Sequence, residues 1–395
     1  AGVDAIHVTG FGPKVPSNFT GPTFVPTVLA HLAEGIKKAV KVPVIAVGRI
    51  TPEAGEKIVA EGKTDLVAMA KGLLADPETA NKFFSGRTDD ICPCILCMGC
   101  RNDLSSDEIV GIRCSVNASS GKEGEYKIVP TGKPKKVLVV GGGPAGMEAA
   151  RVAVLRGHTV TLWERETRLG GQLVQAAIPP HKDRLNALTT FLETQVRKAG
   201  VDVAPGKEAT AALVEQFQPE VAIIATGVKP FTPDIPGMDK AHCVQAIDIL
   251  GGKASVGDKV VVIGGELVGC ETAEFLAERG KKVTVTRRKP EMAAAVGPTM
   301  RRFFLDRLLA KGVILLPGVS YREIVPQGLV VTTREGETKT IEADTIVLAA
   351  GAISNNKLYE ELRGKVPEVY LVGDSVEPRT IRDAIADGFR VALEL

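Results

Sequence analysis

Two stretches of this chain are built alike. KKVLVVGGGPAGMEAARVAVLRGHTVTLWERE (135–166) and DKVVVIGGELVGCETAEFLAERGKKVTVTRR (258–288) each run strand, glycine-rich turn, helix, strand. A strand that is apolar at every position needs cover on both faces. A glycine-rich turn between such a strand and a helix is the grammar of a nucleotide-binding βαβ unit. Its duplication restricts the chain to an α/β fold with parallel sheets and predicts two Rossmann-like domains. VAIIATG (221–227) and DTIVLAAG (344–351) read as further buried strands that run into glycine, and the chain closes on VYLVGD (369–374) and a helix, TIRDAIADGFRVALEL.

In the first unit Gly141, Gly143 and Gly146 form a complete G-x-G-x-x-G, with Pro144 and Ala145 opening the helix. The glycines serve a tight turn, close approach of backbone to a pyrophosphate, and close packing of helix on strand. The helix N-terminus offers N–H groups and partial positive charge to phosphate. Glu164 ends the next strand, with Arg165 beside it, at the distance expected of an acid that binds a ribose diol. Ala225-Thr226-Gly227 and the Gly373-Asp374 strand end resemble the distal signatures of two-dinucleotide flavoproteins. That resemblance implies FAD here, with Asp374 on the ribityl hydroxyls and Gly171 and Gln172 along the cofactor.

The second unit departs from the pattern. It reads Gly264-Gly265-Glu266-Leu267-Val268-Gly269, so a carboxylate stands where the middle glycine should admit pyrophosphate. Either binding is weak or Glu266 points away. The next strand ends in Arg287-Arg288, where an NAD site carries an acid. Guanidinium matches phosphate bidentately, so these arginines lean the expectation to NADP(H) over NAD(H). The alternative is a solvated basic turn.

Upstream, three β/α units precede the first duplicated one. DAIHVTG, VPVIAVG and DLVAMA read as strands, the last two buried, and TVLAHLAEGIKKAV, a helix capped by Thr51 with Pro52 in its first turn, and DPETANKFF as helices. Residues 91–134 are rich in Cys, Gly, Ser and Lys and lack periodicity. Five of the seven cysteines lie between Cys92 and Cys114. A disulfide framework belongs to small secreted domains, so this cluster calls for a metal. Cys94, Cys97, Cys100 and Cys114 are spaced C-x2-C-x2-C-x13-C. Three ligands on one compact turn and one remote suit a [4Fe–4S] cluster better than the paired knuckles of zinc. Cys92 is spare, a structural thiol or a replacement for Cys94.

The net charge of +2 and the scarcity of aromatic residues argue against nucleic acid, and no apolar run reaches the length of a membrane span. A cytoplasmic location is expected, and the absence of an initial Met suggests a start further upstream. Oligomeric state is left open, a homo-oligomer included.

The cluster motif CILCMGC, flanked by VPVIAVGRI, DLVAMAKGLLADPE and VLVVGGGPAGMEAA, resembles the multidomain old yellow enzyme group. The resemblance spans essentially the whole chain. It implies a (β/α)8 barrel with FMN (1–90 being its last three units), a [4Fe–4S] segment and linker (91–134), an FAD domain (135–250 and 350–395) and an inserted NAD(P) domain (251–349). Residue by residue, Gly48 and Arg49 match one loop of the FMN phosphate site and Ala70 and Lys71 the other, where the family usually has Arg in place of Lys71. The implied activity is NAD(P)H-dependent reduction of an activated C=C bond, with electrons passing through FAD, cluster and FMN to a small substrate, an unsaturated acid or acyl-CoA. An amine dehydrogenase running the chain outward and an electron-transfer subunit are the alternatives. A full barrel needs about 200 residues or more, so its first five units are expected upstream or on a separate chain. No catalytic acid is assigned; His7 and Thr9, near a barrel strand end, could face the substrate, but the favoured expectation is that His7 packs between strand and helix.

Overall fold

The computed structural model describes residues 2–10, 27–104, 111–239 and 242–395. Five sheets follow the order of the sequence units. The first is parallel, with strands Ile6–Val8, Val44–Val47 and Leu66–Ala68 side by side. Helices Ala30–Lys37 and Pro52–Ala60 accompany it, and Val8, Ala33, Val44, Ala46 and Ile58 form its core. Thr51 caps the second helix, its hydroxyl accepting from Ala54 N at 3.3 Å. The strand around Leu66 is less buried than its apolar sequence suggests: Leu66 is 53% exposed. It lies at the edge of its sheet, with no neighbouring strand on one side among the described residues.

The segment from residue 91 to 134 carries one short helix, Gly99–Leu104, among its described residues.

The first duplicated unit builds a five-stranded parallel sheet in the order Glu368–Leu371, Val221–Ile224, Lys136–Val140, Thr159–Glu164, Asp202–Pro205. Val137, Leu138 and Val139 at its centre are fully buried. One face is covered by helix Pro144–Leu155, which packs along the C-terminal helix Ile381–Glu394. That helix starts with a capping box between Thr380 and Asp383.

The second unit is a parallel sheet of Ile314–Pro317, Lys282–Arg287, Lys259–Ile263, Thr345–Leu348 and Cys243–Gln245, with helix Leu267–Ala277 against it. An antiparallel sheet of Ser320–Val325, Gly328–Thr332 and Thr338–Glu342 closes its other side. Strand Cys243–Gln245 and helix Ala246–Leu250 pack here, so the second unit takes in residues that the sequence alone had placed with the first. The physical reason is edge pairing: Ile346, Val347 and Leu348 need a neighbour on the side away from Val260–Ile263, and residues 243–245 supply it. A two-stranded ribbon, Val228–Pro230 against Ala352–Ser354, carries the chain between the units. The first sheet is completed only by residues beyond the second unit, which is therefore an insertion.

Candidate cofactor sites

The first unit brings its predicted residues to one end of the sheet. Gly141 turns at φ 109°, and any Cβ there would strike the Ala225 carbonyl. A Cβ at Gly146 would strike the Gly141 carbonyl, so helix and strand touch through backbone. At Gly143 the space is open: nothing lies within 4 Å of where a Cβ would stand. This is the cradle that a pyrophosphate needs at the start of helix Pro144–Leu155. Glu164, buried at the strand end, accepts from Gly142 N at 2.6 Å and Glu166 N at 2.8 Å. It fixes the loop while staying beside it. Arg165 is exposed and pairs with Glu166.

Gly171, at φ 53°, lies against Gly143, and the side chain of Gln172 reaches Asp374 at 3.0 Å. Gly373 packs against Ala145, and Gly227 faces Gln172. The Thr226 hydroxyl donates to Asn355 O, tying the Ala225-Thr226-Gly227 turn to the returning ribbon. Burial pushes the Asp374 carboxyl above its ordinary value, outweighing its bonds from Arg379 N and Gln172. A row of hydroxyl donors along this groove would restore what burial costs it. The open cradle and the desolvated carboxyl are what an extended dinucleotide with a polyhydroxyl chain requires.

The four predicted cysteine ligands line one small cavity. Cys94, Cys97, Cys100 and Cys114 share it with Leu74, Ile95, Met98, Val116, Ser115 and Lys71. Leu96 (φ 54°) and Met98 (φ 61°) are left-handed although neither is glycine. Such positions cost about 1–3 kcal/mol each, and here they turn successive cysteines to the same side. Burial, with the neighbouring thiols, raises Cys94 and Cys100, and burial takes Cys114 up to about 11. At Cys94, Cys100 and Cys114 a bound metal must therefore work against burial to take the proton. Four sulfurs form a donor set for iron–sulfur or zinc, not for a hard cation. Cys92 stands outside the ring, buried, with its thiol toward Val116 O.

Long-range contacts hold this segment that no spacing in the sequence revealed. Arg184 donates to Cys94 O at 3.1 Å. Arg382, from the C-terminal helix, donates to Asp103 at 2.9 Å and to Arg113 O at 3.2 Å, bringing the remote arm that bears Cys114 against the near one. Asp76 accepts from Cys92 N at 2.9 Å and from Lys82 at 2.6 Å.

Among the barrel-end residues, Gly48 turns at φ 119° and Arg49 is left-handed at φ 51°. Arg49 is buried enough for desolvation to lower its basicity, and the Cys94 sulfur lies within its electrostatic reach. Ala70 opens helix Ala70–Ala75, and Lys71 looks into the cysteine cavity. The predicted FMN-phosphate cations therefore stand next to the cysteine ring. His7 is exposed on its strand.

In the second unit Gly264 and Gly269 repeat the close approach of Gly141 and Gly146. Glu266 points to the strand end: its carboxylate pairs with Arg287 and accepts from Ala295 N at 3.2 Å. Arg287 is buried and also donates to Glu291 O. Arg288 lies over the Tyr321 ring, 5.4 Å from its centroid. Sequence spacing brought these residues to the right end of the sheet but not the pairing between them.

Residues 135–388 match the family model described as pyridine nucleotide-disulphide oxidoreductase. The chain belongs to that family. Residues 18–90 match the NADH:flavin oxidoreductase / NADH oxidase family, and the two together form the layout of the multidomain old yellow enzyme group. The chain is 40% identical to the NADH oxidase of Thermoanaerobacter brockii, over 100% of its own length and 62% of that protein. It is 38% identical to the cinnamate reductase of Clostridium sporogenes, over 91% of the chain and 54% of that protein. Among solved structures, 2-naphthoyl-CoA reductase in complex with 2-naphthoyl-CoA superposes with a TM-score of 0.89 at 36% identity, covering 94% of this chain and 57% of the other. The chain thus spans between half and two thirds of the length of these relatives. No helix among its described residues is long and apolar enough to cross a membrane.

Proposed function

We propose that the chain is the greater part of an NAD(P)H-dependent flavin and iron–sulfur oxidoreductase that reduces an activated C=C bond in an unsaturated acid or acyl-CoA. The observation that carries the reading is the ring of Cys94, Cys97, Cys100 and Cys114, set beside Lys71 and Arg49 on one side and tied to the FAD-type unit through Arg184 and Arg382 on the other. In this reading Gly141, Gly143, Gly146, Glu164, Gln172 and Asp374 hold FAD, the four cysteines hold [4Fe–4S], and the second unit takes the nicotinamide dinucleotide. Gly48, Arg49, Ala70 and Lys71 take the FMN phosphate. When bound, these groups supply hydride exchange at the flavins and one-electron transfer at the cluster.

The protein's own part is placement. Glu164 keeps the loop at Gly142 in position without entering the cradle at Gly143. Asp374 and Gln172 accept and donate along one groove. Leu74, Ile95, Met98 and Val116 give the cysteine ring an apolar wall on its inner side. Lys71 and Arg49 offset the negative charge that a thiolate ring and a phosphate would bring together.

Relatives named for reduction or for NADH oxidation share 36–40% identity with the chain, which favours the reductive direction over amine oxidation. Anaerobically purified protein should contain iron and acid-labile sulfide in equal amounts together with flavin. NAD(P)H should bleach the flavin, and an α,β-unsaturated acid or its CoA thioester should restore it. Zinc, or no metal at all, in a folded and FAD-loaded sample overturns the reading.

A further inference from the structure

The duplicated units provide an internal control for one departure. Glu266 occupies the place of Gly143, and Arg287 the place of Glu164. The acid has moved from strand end to loop, and a base has taken the strand end. Backbone strain plays no part: φ is −75° at Gly143 and −86° at Glu266, and either value suits any residue. Where Gly143 has no side chain and open space around it, Glu266 places one at the same loop position. Its carboxylate covers Arg287 and takes Ala295 N as a second donor.

The two partners differ in burial. The Arg287 side chain is 8% exposed and that of Glu266 44%. Breaking the pair lets the carboxylate swing into water at little cost. It leaves a buried guanidinium that needs another anion.

Resting on the reading of the second unit as a nicotinamide dinucleotide site, we propose that Glu266 is an internal competitor for the anion place. A dinucleotide bearing a 2′-phosphate then displaces it from Arg287. The 2′-phosphate offers Arg287 a doubly charged, bidentate partner. A dinucleotide without it must either strand Arg287 or bind with a carboxylate facing its pyrophosphate. Glu266 therefore sets both the weakness of the site and its preference.

The test titrates the intact, FAD-loaded protein with NADPH, NADH and adenosine 2′,5′-bisphosphate, followed by calorimetry. The wild type should bind NADPH more tightly than NADH. Glu266→Gly should tighten NADPH about tenfold or more and should let the bisphosphate bind. Glu266→Gln, which keeps the bulk and removes the charge, should fall between wild type and Glu266→Gly. Arg287→Gln should erase the preference for NADPH. Unaltered FAD content and a single cooperative melting transition establish that each variant is folded. Unchanged NADPH affinity in Glu266→Gly, or an unchanged NADPH/NADH ratio in Arg287→Gln, overturns the proposal while leaving the nucleotide site standing. Failure of wild type and both Glu266 variants to bind either dinucleotide overturns the proposal and the nucleotide reading together.

Discussion

The two duplicated units place their strands and helices alike and their charges oppositely. In each, a glycine at the first helical turn lets helix and strand touch through backbone, at Gly146 in one and Gly269 in the other. In each, a carboxylate pins the glycine-rich loop to the next strand. The first unit does this from the strand, Glu164 to Gly142 N, and leaves the cradle empty. The second does it from the loop, Glu266 to Arg287, with a side chain at the position that is open in the first. Steric demands at the turn and apolar cover on both sheet faces fix the fold in both. Which ligand fits depends on two side chains that the fold tolerates in either arrangement.

The largest effect should come from Gly146→Val set against Gly269→Val. Either side chain must displace a backbone carbonyl, at a cost of about 3 kcal/mol, the upper end for overpacking. Both variants should melt at lower temperature. Only Gly146→Val should also lose FAD, as read by absorbance after desalting. Equal FAD loss in both would break the assignment of FAD to the first unit.

Next in size is Glu164→Gln. A charge-assisted bond to a buried N–H contributes about 1.5 kcal/mol, so FAD should bind roughly tenfold more weakly in a fluorescence titration. An unchanged affinity would mean that Glu164 shapes neither loop nor ribose site.

Acid should separate the units by a smaller margin. Burial, then the charges of Arg156 and Lys135, hold the His158 imidazole below 6.5, and its Nδ1 accepts from Lys135 N at 3.1 Å. A depressed value means stability that is complete above pH 6.5 and lost as pH falls through the folded value. In the second unit burial alone would raise Glu274, but its bonds from Arg307 and Lys311 outweigh that and hold it below 4.5. Its contribution is complete above pH 4.5 and lost below. Amide exchange should therefore quicken around Thr159–Glu164 at a higher pH than around Lys259–Ile263. The single tryptophan, Trp163, lies in the first of these strands as a fluorescent reporter. Simultaneous loss in both units would contradict these assignments.

Smallest of all is Lys259→Ala. It removes the exposed pair with Glu342, and exposed pairs contribute little. The melting temperature should not move. A measurable drop would mean that the second unit depends on its surface charges, unlike the first.

Much of this was legible in the sequence because local chemistry forced it. Thr51 and Pro52 start a helix wherever they stand before an apolar stripe, and Gly141 and Gly264 are turns because their backbones leave no room for a side chain. Leu66 misled, since an apolar run does not say whether its strand has a neighbour on each side. The boundary near residue 250 misled for a related reason, because edge pairing drew residues 243–245 to the second sheet. Arg184 on Cys94 O and Arg382 on Asp103 join residues 90 and 279 positions apart, a separation at which no periodicity survives.

The sequence by itself determined the duplicated α/β units, the turns that open them, and a four-cysteine set at cluster spacing. Each follows from interactions within a few residues, where sterics and burial act alike in any context. Only the tertiary structure decided that Lys71 lines the cysteine ring with Arg49 within electrostatic reach of Cys94, that the chain's end completes the first sheet, and that Glu266 spends its charge on Arg287. Charges and strand edges take whichever partner the packed chain brings within reach, and sequence distance carries no record of that.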